Sequence, residues 1–229
     1  MNAKGNALFL ILIAVALFAA LSYAITQSGR GGGGIDREKA EIAAAQIVQF
    51  AGLLENAVQK LQILNGCSDT ELNFDNTVYT GYTNGSLDSP CSLFHPSGAG
   101  LTMPDFRESL GYGNALGLTY ISGSNSVDGV GSTCGTATCV DLVMLVRFVD
   151  TNSTSPVLCN SINQKLGIES PTVPVDTNNN IHVGTAFTGT YTATANILDT
   201  GNLLLGQHSG CFKESAAGNY FFYHVLKAR

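Results

Sequence analysis

The chain has 229 residues, of which 45% are hydrophobic and 12% charged, and its formal net charge is −6. The hydrophobic share excludes a wholly disordered chain, and an acidic balance without any cluster of Lys and Arg excludes a nucleic-acid-binding footprint. The length suits one membrane segment and one globular domain.

The N-terminal residues predict a membrane helix. Residues 1–5 form a short leader with one Lys, and the run 7–25 that follows is almost entirely apolar. As a helix with a rise of 1.5 Å per residue, this run would extend roughly 28 Å, close to the hydrocarbon thickness of a bilayer. We therefore predict a transmembrane helix over residues 6–27, with Lys4 on the cytoplasmic side.

Three kinds of export signal fit this segment. A signal peptide would be cut after Ala24, where Ser22-Tyr23-Ala24 follows the small-x-small rule. An uncleaved signal anchor would keep the whole segment. A prepilin would be cut between Gly5 and Asn6, so that the apolar stretch follows the cut instead of preceding it.

A hinge and a second helix are expected next. The glycine-rich run 28–34 predicts a flexible hinge, because consecutive glycines lose much conformational entropy in a helix. Residues 35–66 predict an amphipathic helix that Asp36 caps and Asn65-Gly66 ends. Its apolar residues recur at the spacing of one buried stripe, for which a sheet of the same domain is the favoured cover and helices of other subunits the alternative. The stripe comprises Ile47, Phe50, Ala51, Leu54, Val58, Leu61 and Leu64.

The N-terminal pattern resembles that of type IV pilins and pseudopilins, with a short basic leader that ends in Gly5, an immediate apolar stretch and a following amphipathic helix. The resemblance covers residues 1–65. It implies cleavage between Gly5 and Asn6, and assembly with other pilin-like subunits through the N-terminal helix. The chain departs from the family at Leu10, where mature pilins usually carry a Glu, and at Asn6, where they usually carry Phe or Met.

Residues 67–229 predict a disulfide-bonded head domain with strands after the helix. This order favours an α+β fold, in which a long N-terminal helix, with a membrane part and an amphipathic part, packs on a mainly antiparallel sheet. Pilin heads are similar in architecture. The predicted elements of the head are strands at 118–121, 140–149 and 219–227, a helix at 157–166, and a hairpin at 181–198 that turns near Thr188-Gly189.

Six cysteines follow the apolar segment, and an even number in an exported chain predicts three disulfides. Fifteen connectivities are open for six cysteines. The positions of the cysteines relative to the predicted helices and strands favour three pairs. These pairs are Cys67–Cys91, Cys134–Cys139 and Cys159–Cys211.

No sequence motif predicts an enzyme. The four histidines lack metal-ligand spacing, and the common nucleophile, zinc and phosphate-loop motifs do not occur. We therefore expect no catalytic residue and no required cofactor. One segment, Asp176, Asn178 and Asn180, has the D-x-N-x-N spacing of oxygen ligands that calcium prefers, and a polar turn is its alternative interpretation.

These features predict a pilin-like structural or assembly subunit, such as a minor pilin or a pseudopilin of a type IV pilus or a type II secretion-like system. The chain would cross the inner membrane once, with lipid around its N-terminal helix and its head in the periplasm or outside the cell. The alternative function is a membrane-anchored periplasmic binding module for an unidentified ligand.

Overall fold

A computed structural model of the chain describes residues 9, 11–20, 22, 32–106, 116–132, 139–148, 154–178, 186–193, 195–199 and 201–229, with the backbone alone at 32–36 and 116–118. The chain divides into two compact units, Met1–Lys39 and Ala40–Arg229. The second unit contains the whole sheet.

The described residues of the first unit, 9, 11–20, 22 and 32–39, are helical. Within the described ranges, no helix combines the length and the apolar character that crossing a membrane requires. The transmembrane helix predicted at 6–27 is therefore not found, and the predicted single-pass location in the inner membrane is wrong.

The predicted fold class is also wrong. It expected one long N-terminal helix, with a membrane part and an amphipathic part, packed on a mainly antiparallel sheet. The main feature of the structure is instead a six-stranded mixed sheet, and the described residues contain no membrane part of such a helix. The prediction joined a membrane part at 6–27 to an amphipathic part at 35–66 through a hinge, whereas the chain up to Lys39 is a compact unit separate from the one that contains the sheet.

Helix α1 comprises Gly32–Leu64, so it includes glycines that we expected to form a hinge. They lie in the first turn of α1, so the cost of about 1 kcal/mol relative to Ala that applies to a helix interior is not incurred in full. The end of α1 agrees with the sequence signal, because Gly66 has a φ of 67°, the left-handed conformation that stops a helix. The N–H groups of Asn65 and Cys67 both donate to the carbonyl of Leu61, at 3.0 and 3.3 Å.

From Ala40 onward, one face of α1 is buried in an apolar cluster that also contains Met144 and Phe222 of the sheet. Of the predicted stripe, only Leu64 is exposed. Small side chains in the first turns after Ala40 permit close approach of the helix backbone to its neighbours. The buried residues of this face are Ala40, Ala43, Ala44, Ile47, Phe50, Ala51, Leu54, Ala57, Val58 and Leu61.

The sheet has the strand order β3-β5-β6-β2-β1-β4. The pairs β1–β2, β2–β6 and β5–β6 are antiparallel, and the pairs β1–β4 and β3–β5 are parallel. In the second unit a further helix, α2, comprises Thr154–Lys165 and follows β2 in the chain. The strands are β1 (Leu116–Val127), β2 (Asp141–Phe148), β3 (Val175–Asp176), β4 (Ala195–Ile197), β5 (Ser209–Glu214) and β6 (Tyr220–Lys227).

Strand β2 is central and buried on both faces. Met144 and Val146 join the cluster that contains α1, whereas Val143 and Leu145 join a second cluster on the opposite face. A strand with two buried faces has a nearly continuous apolar sequence instead of an alternating one. The strands predicted at 140–149 and 219–227 are confirmed as β2 and β6, and the helix predicted at 157–166 is confirmed as α2.

The hairpin predicted at 181–198 is wrong in the part that the structure describes. Residues 186–193 contain no strand, and β4 pairs in parallel with the end of β1. Alternation of apolar and polar residues determines which side chains share a face, but it does not determine the direction of the neighbouring strand. Residues 181–185 lie outside the described ranges.

Strand β1 is much longer than the strand predicted at 118–121, because its second half is polar and nevertheless buried. The hydroxyls of Ser122 and Ser124 lie 2.6 Å apart, so one donates a hydrogen bond to the other. Gly123 between them lies against aromatic rings, and a Cβ at this position would come within 2.8 Å of the Phe187 ring. Hydrogen bonds and the close packing of aromatic rings on Gly123 therefore stabilise this half of β1. It lacks the apolar side chains from which a strand would have been predicted.

Two of the three predicted disulfides are confirmed. Cys67–Cys91 joins the end of α1 to the following loop, with a Cα–Cα distance of 5.8 Å. Cys159–Cys211 joins α2 to β5, with a Cα–Cα distance of 5.3 Å. Cys139 is also disulfide-bonded, but Cys134, its predicted partner, lies outside the described residues.

Candidate functional sites

The N-terminal helical segment, residues 9 and 11–20, presents large apolar side chains to solvent. Seven of them are between 40% and 73% exposed. Fully burying one such side chain stabilises by about 1.5–3 kcal/mol, so a surface of this kind favours association with an apolar partner. The seven residues are Phe9, Ile11, Leu12, Ile13, Val15, Leu17 and Phe18.

In the second unit, His224 connects three elements. Its Nε2 lies 3.0 Å from Oε2 of Glu55 on α1, and its Nδ1 lies 2.5 Å from Oγ of Ser209 on β5. The register explains the second contact, because Ser209 and His224 are opposite each other in the β5–β6 pair. We call Glu55, His224 and Ser209 the His224 row.

The electrostatics of the row favour a neutral imidazole. Burial lowers the pKa of His224 below its usual range, the carboxylate of Glu55 opposes this shift, and nearby His208 adds to it. A neutral ring with its proton on Nε2 donates to Glu55 and accepts the Ser209 hydroxyl at Nδ1. The row therefore holds α1 against β5 and β6 without a full charge on the ring.

A second site is a cleft in the segment between α1 and β1, which we call the loop cleft. Its volume is about 380 Å³, within the usual range for small-molecule sites. It combines apolar side chains with several polar groups. The lining residues are Asp75, Asn76, Thr77, Leu87, Phe94, His95, Leu101, Thr102 and Met103.

Local hydrogen bonds hold the walls of the loop cleft in place. The backbone of Asn73 accepts from Leu93 at 2.9 Å and donates to Cys91 at 3.0 Å, and the N–H of Leu101 donates to Leu93 at 2.9 Å. Cys91 is in turn linked to the end of α1 by the Cys67–Cys91 disulfide. The cleft is therefore formed before any ligand arrives, which lowers the cost of ordering it on binding.

Asn76 shapes the loop cleft but has little capacity left for a ligand. Its side-chain oxygen accepts the N–H groups of Val78 and Tyr79, at 2.9 and 2.8 Å. Its amide nitrogen donates to the carbonyl of Phe74 at 2.9 Å. Binding in the cleft must therefore use the other polar residues.

The predicted calcium residues are only partly described. Oδ1 of Asp176 accepts the N–H groups of Asn178 and Leu198 at 3.4 Å, and the Asn178 amide donates to the carbonyl of Asn196 at 3.2 Å. Only the contact with the Asn178 N–H is local, because Leu198 and Asn196 lie 22 and 18 positions from their partners. Calcium binding at these residues stays a prediction. Asn180 lies outside the described residues, and the described part of the chain has no group of three His, Cys, Asp or Glu that could hold a metal ion.

The predicted processing residues Gly5 and Asn6 lie outside the described residues, as does Leu10. Cleavage at this point therefore stays a prediction. Of the histidines, His224 was expected to share one face of the last strand with Phe222 and Leu226, and all three do face the α1 side of the sheet. The row itself was not predicted, because Glu55 is 169 positions away from His224.

No protein-family model matches the chain, and neither a curated protein nor a solved structure does. The resemblance to pilins therefore rests on residues 1–65 alone, and the expected partners, lipid and other pilin-like subunits, stay predictions.

Proposed function

We propose that the chain is a pilin-like structural subunit that assembles with other subunits through its N-terminal helical segment. The observation that carries this proposal is the exposure of seven large apolar side chains on that segment. Two disulfides in the rest of the chain support a function in an oxidising compartment outside the cytoplasm.

The free energy of burying this segment favours contacts with several neighbouring subunits over a single pairing. Covering seven exposed apolar side chains supplies on the order of 10 kcal/mol, whereas forming one complex costs about 4–15 kcal/mol in lost freedom of motion. A single pairing is therefore marginal, and an assembly in which each segment contacts several neighbours is stable. This is the behaviour expected of a subunit that stays separate until it is incorporated.

The proposal is tested by changing the segment without changing the rest of the chain. The full chain is produced with export to an oxidising compartment, its mature N-terminus is determined by mass spectrometry, and its association is measured by sedimentation. In the double variant Leu12→Gln, Phe18→Gln, two buried contacts of about 1.5–3 kcal/mol each would be lost per subunit. We expect self-association to weaken at least about 100-fold.

Leu205→Gln is the matched control, because Leu205 is also exposed but belongs to the second unit. It should associate as the unmodified chain does. A chain that remains monomeric at every concentration, or a double variant that associates as strongly as the control, would contradict the proposal. A mature N-terminus at Asn6 would support processing as a prepilin, and a start at Ile25 would exclude it.

A further inference from the structure

The loop cleft has an apolar side and a polar side. Phe94, Leu101 and Met103 supply apolar surface, and Met103 is almost fully buried. Apolar walls of this kind accept the C–H faces of a ligand, while a few polar groups fix its orientation.

Asp75 offers the cleft a carboxylate with spare capacity. Its Oδ2 takes part in one long hydrogen bond, from the Thr83 hydroxyl at 3.4 Å. An ionised carboxylate has about four acceptor positions, so Asp75 can accept two or more hydroxyl groups from a ligand.

His95 complements Asp75 as a donor. Its Nδ1 accepts the N–H of Ser97 at 3.3 Å and lies 2.7 Å from the hydroxyl of Ser97. A neutral ring that accepts at Nδ1 carries its proton on Nε2. Two further lining residues, Thr77 and Thr102, have hydroxyls that both donate and accept.

The charge of the lining restricts the ligand further. Among the described residues that line the cleft there is one carboxylate and neither Lys nor Arg. An anionic ligand would be repelled by Asp75 without a compensating cation, and a simple cation would leave the donors of His95 and the threonines without acceptors. Ligand groups that donate and accept at once satisfy all of these residues, and hydroxyls are such groups.

We propose that the loop cleft is a binding site for a neutral saccharide, with the apolar face of a pyranose ring against Phe94 and its hydroxyls bonded to Asp75 and His95. A saccharide is the common ligand that combines an apolar ring face with a rim of hydroxyl groups. The proposal is independent of the assembly function, because none of these residues lies in the N-terminal helical segment.

The test is saturation-transfer NMR and calorimetry on the full chain with D-glucose, D-galactose, D-mannose, N-acetyl-D-glucosamine and N-acetyl-D-galactosamine. We expect at least one of them to bind with a dissociation constant in the millimolar range. Asp75→Asn and Phe94→Ala should each weaken that binding by about tenfold or more, equivalent to about 1.4 kcal/mol. Asp128→Asn, which removes a carboxylate outside the cleft, is the matched control and should change it less than about twofold.

Charged analogues of the bound sugar decide between ligand classes. Glucosamine, a cation, and glucuronate, an anion, are compared with glucose at the same concentration, and the neutral sugar should bind at least as tightly as either. Tighter binding of glucosamine would show a cation site, and tighter binding of glucuronate would contradict the charge argument. The absence of binding by all five neutral sugars at about 50 mM, or binding that neither cleft variant weakens, would overturn the proposal.

Discussion

Removing the Cys159–Cys211 disulfide should cost the fold a large part of its stability. The bridge closes a loop with a sequence separation of 52, and in the chain-entropy model such a loop contributes about 4 kcal/mol. Small domains are stable by about 5–15 kcal/mol in total. The double variant Cys159→Ser, Cys211→Ser should therefore remain folded under mild conditions but unfold at a markedly lower urea concentration.

The second bridge provides the matched comparison. Cys67–Cys91 has a separation of 24, for which the same model gives about 3.5 kcal/mol. Urea unfolding can be followed by far-UV circular dichroism and by tyrosine fluorescence, since the chain has no Trp and eight Tyr. The variant without Cys159–Cys211 should be the less stable of the two, by about 0.7 kcal/mol.

Two results would refute this reasoning. One is a loss of less than about 1 kcal/mol on removal of Cys159–Cys211, which would mean that the unfolded chain is not restricted by the bridge. The other is a larger loss on removal of Cys67–Cys91 than on removal of Cys159–Cys211. The second result would show that local contacts near the bridge, and not the length of the closed loop, determine its contribution.

Two further predictions concern buried polar groups. Burial keeps the pKa of His224 lower in the folded chain than in the unfolded chain, so the unfolded chain binds the proton first as the pH falls. The free energy of unfolding should therefore be at its full value above about pH 6.5 and decrease as the pH falls through that value. NMR titration should give His224 a pKa below its usual range and a still lower one in Glu55→Gln, and an unchanged pKa in that variant would contradict the contact. Tyr82→Phe should cost about 1–3 kcal/mol in urea unfolding, because the Tyr82 oxygen accepts the buried N–H of Ile121 at 3.1 Å. Burial also raises the pKa of Tyr82 to about 12. Ionisation of Tyr82 near pH 10 in the unmodified chain, together with an unchanged free energy of unfolding in Tyr82→Phe, would contradict this prediction.

Local sequence signals predicted the helices and strands whose own composition indicates whether they are buried. Strand β2 is apolar on both faces, and β6 is rich in aromatic residues, so neither needs a distant partner to be recognised. The end of α1 could be predicted because Gly66 adopts a conformation that other residues rarely do. The two described disulfides followed from the positions of their cysteines relative to these elements.

The N-terminal predictions failed for a different reason. Apolar composition shows that a segment needs to be covered, but it does not show whether lipid or protein covers it. The described helical residues 11–20 are exposed and apolar, which agrees with the composition, yet no described helix has the length and apolar character of a membrane span. Composition therefore predicted the character of the segment correctly and its location wrongly.

Strand β5 shows why the rest of the second unit could not be predicted. On the side of β5 away from β6, no described strand pairs with Cys211, since β3 pairs with β5 only at Lys213 and Glu214. The side chain of Asn163 on α2 takes the place of that strand: its Oδ1 accepts the N–H of Cys211 at 2.8 Å, and its Nδ2 donates to the Cys211 carbonyl at 2.9 Å. A side-chain amide has the same donor and acceptor as a peptide group, so it satisfies the strand backbone equally well.

The sequence near β5 gives no sign of this contact, because Asn163 lies 48 positions before Cys211, on a helix. The same holds for the candidate sites. The His224 row needs Glu55 from a distant helix, and the loop cleft is lined by residues as far apart in the chain as Asp75 and Met103. Sequence patterns report the interactions of a residue with its near neighbours along the chain, whereas these sites depend on pairs that only the completed fold brings into contact. Their function must therefore be tested by variants of both partners, not of one residue alone.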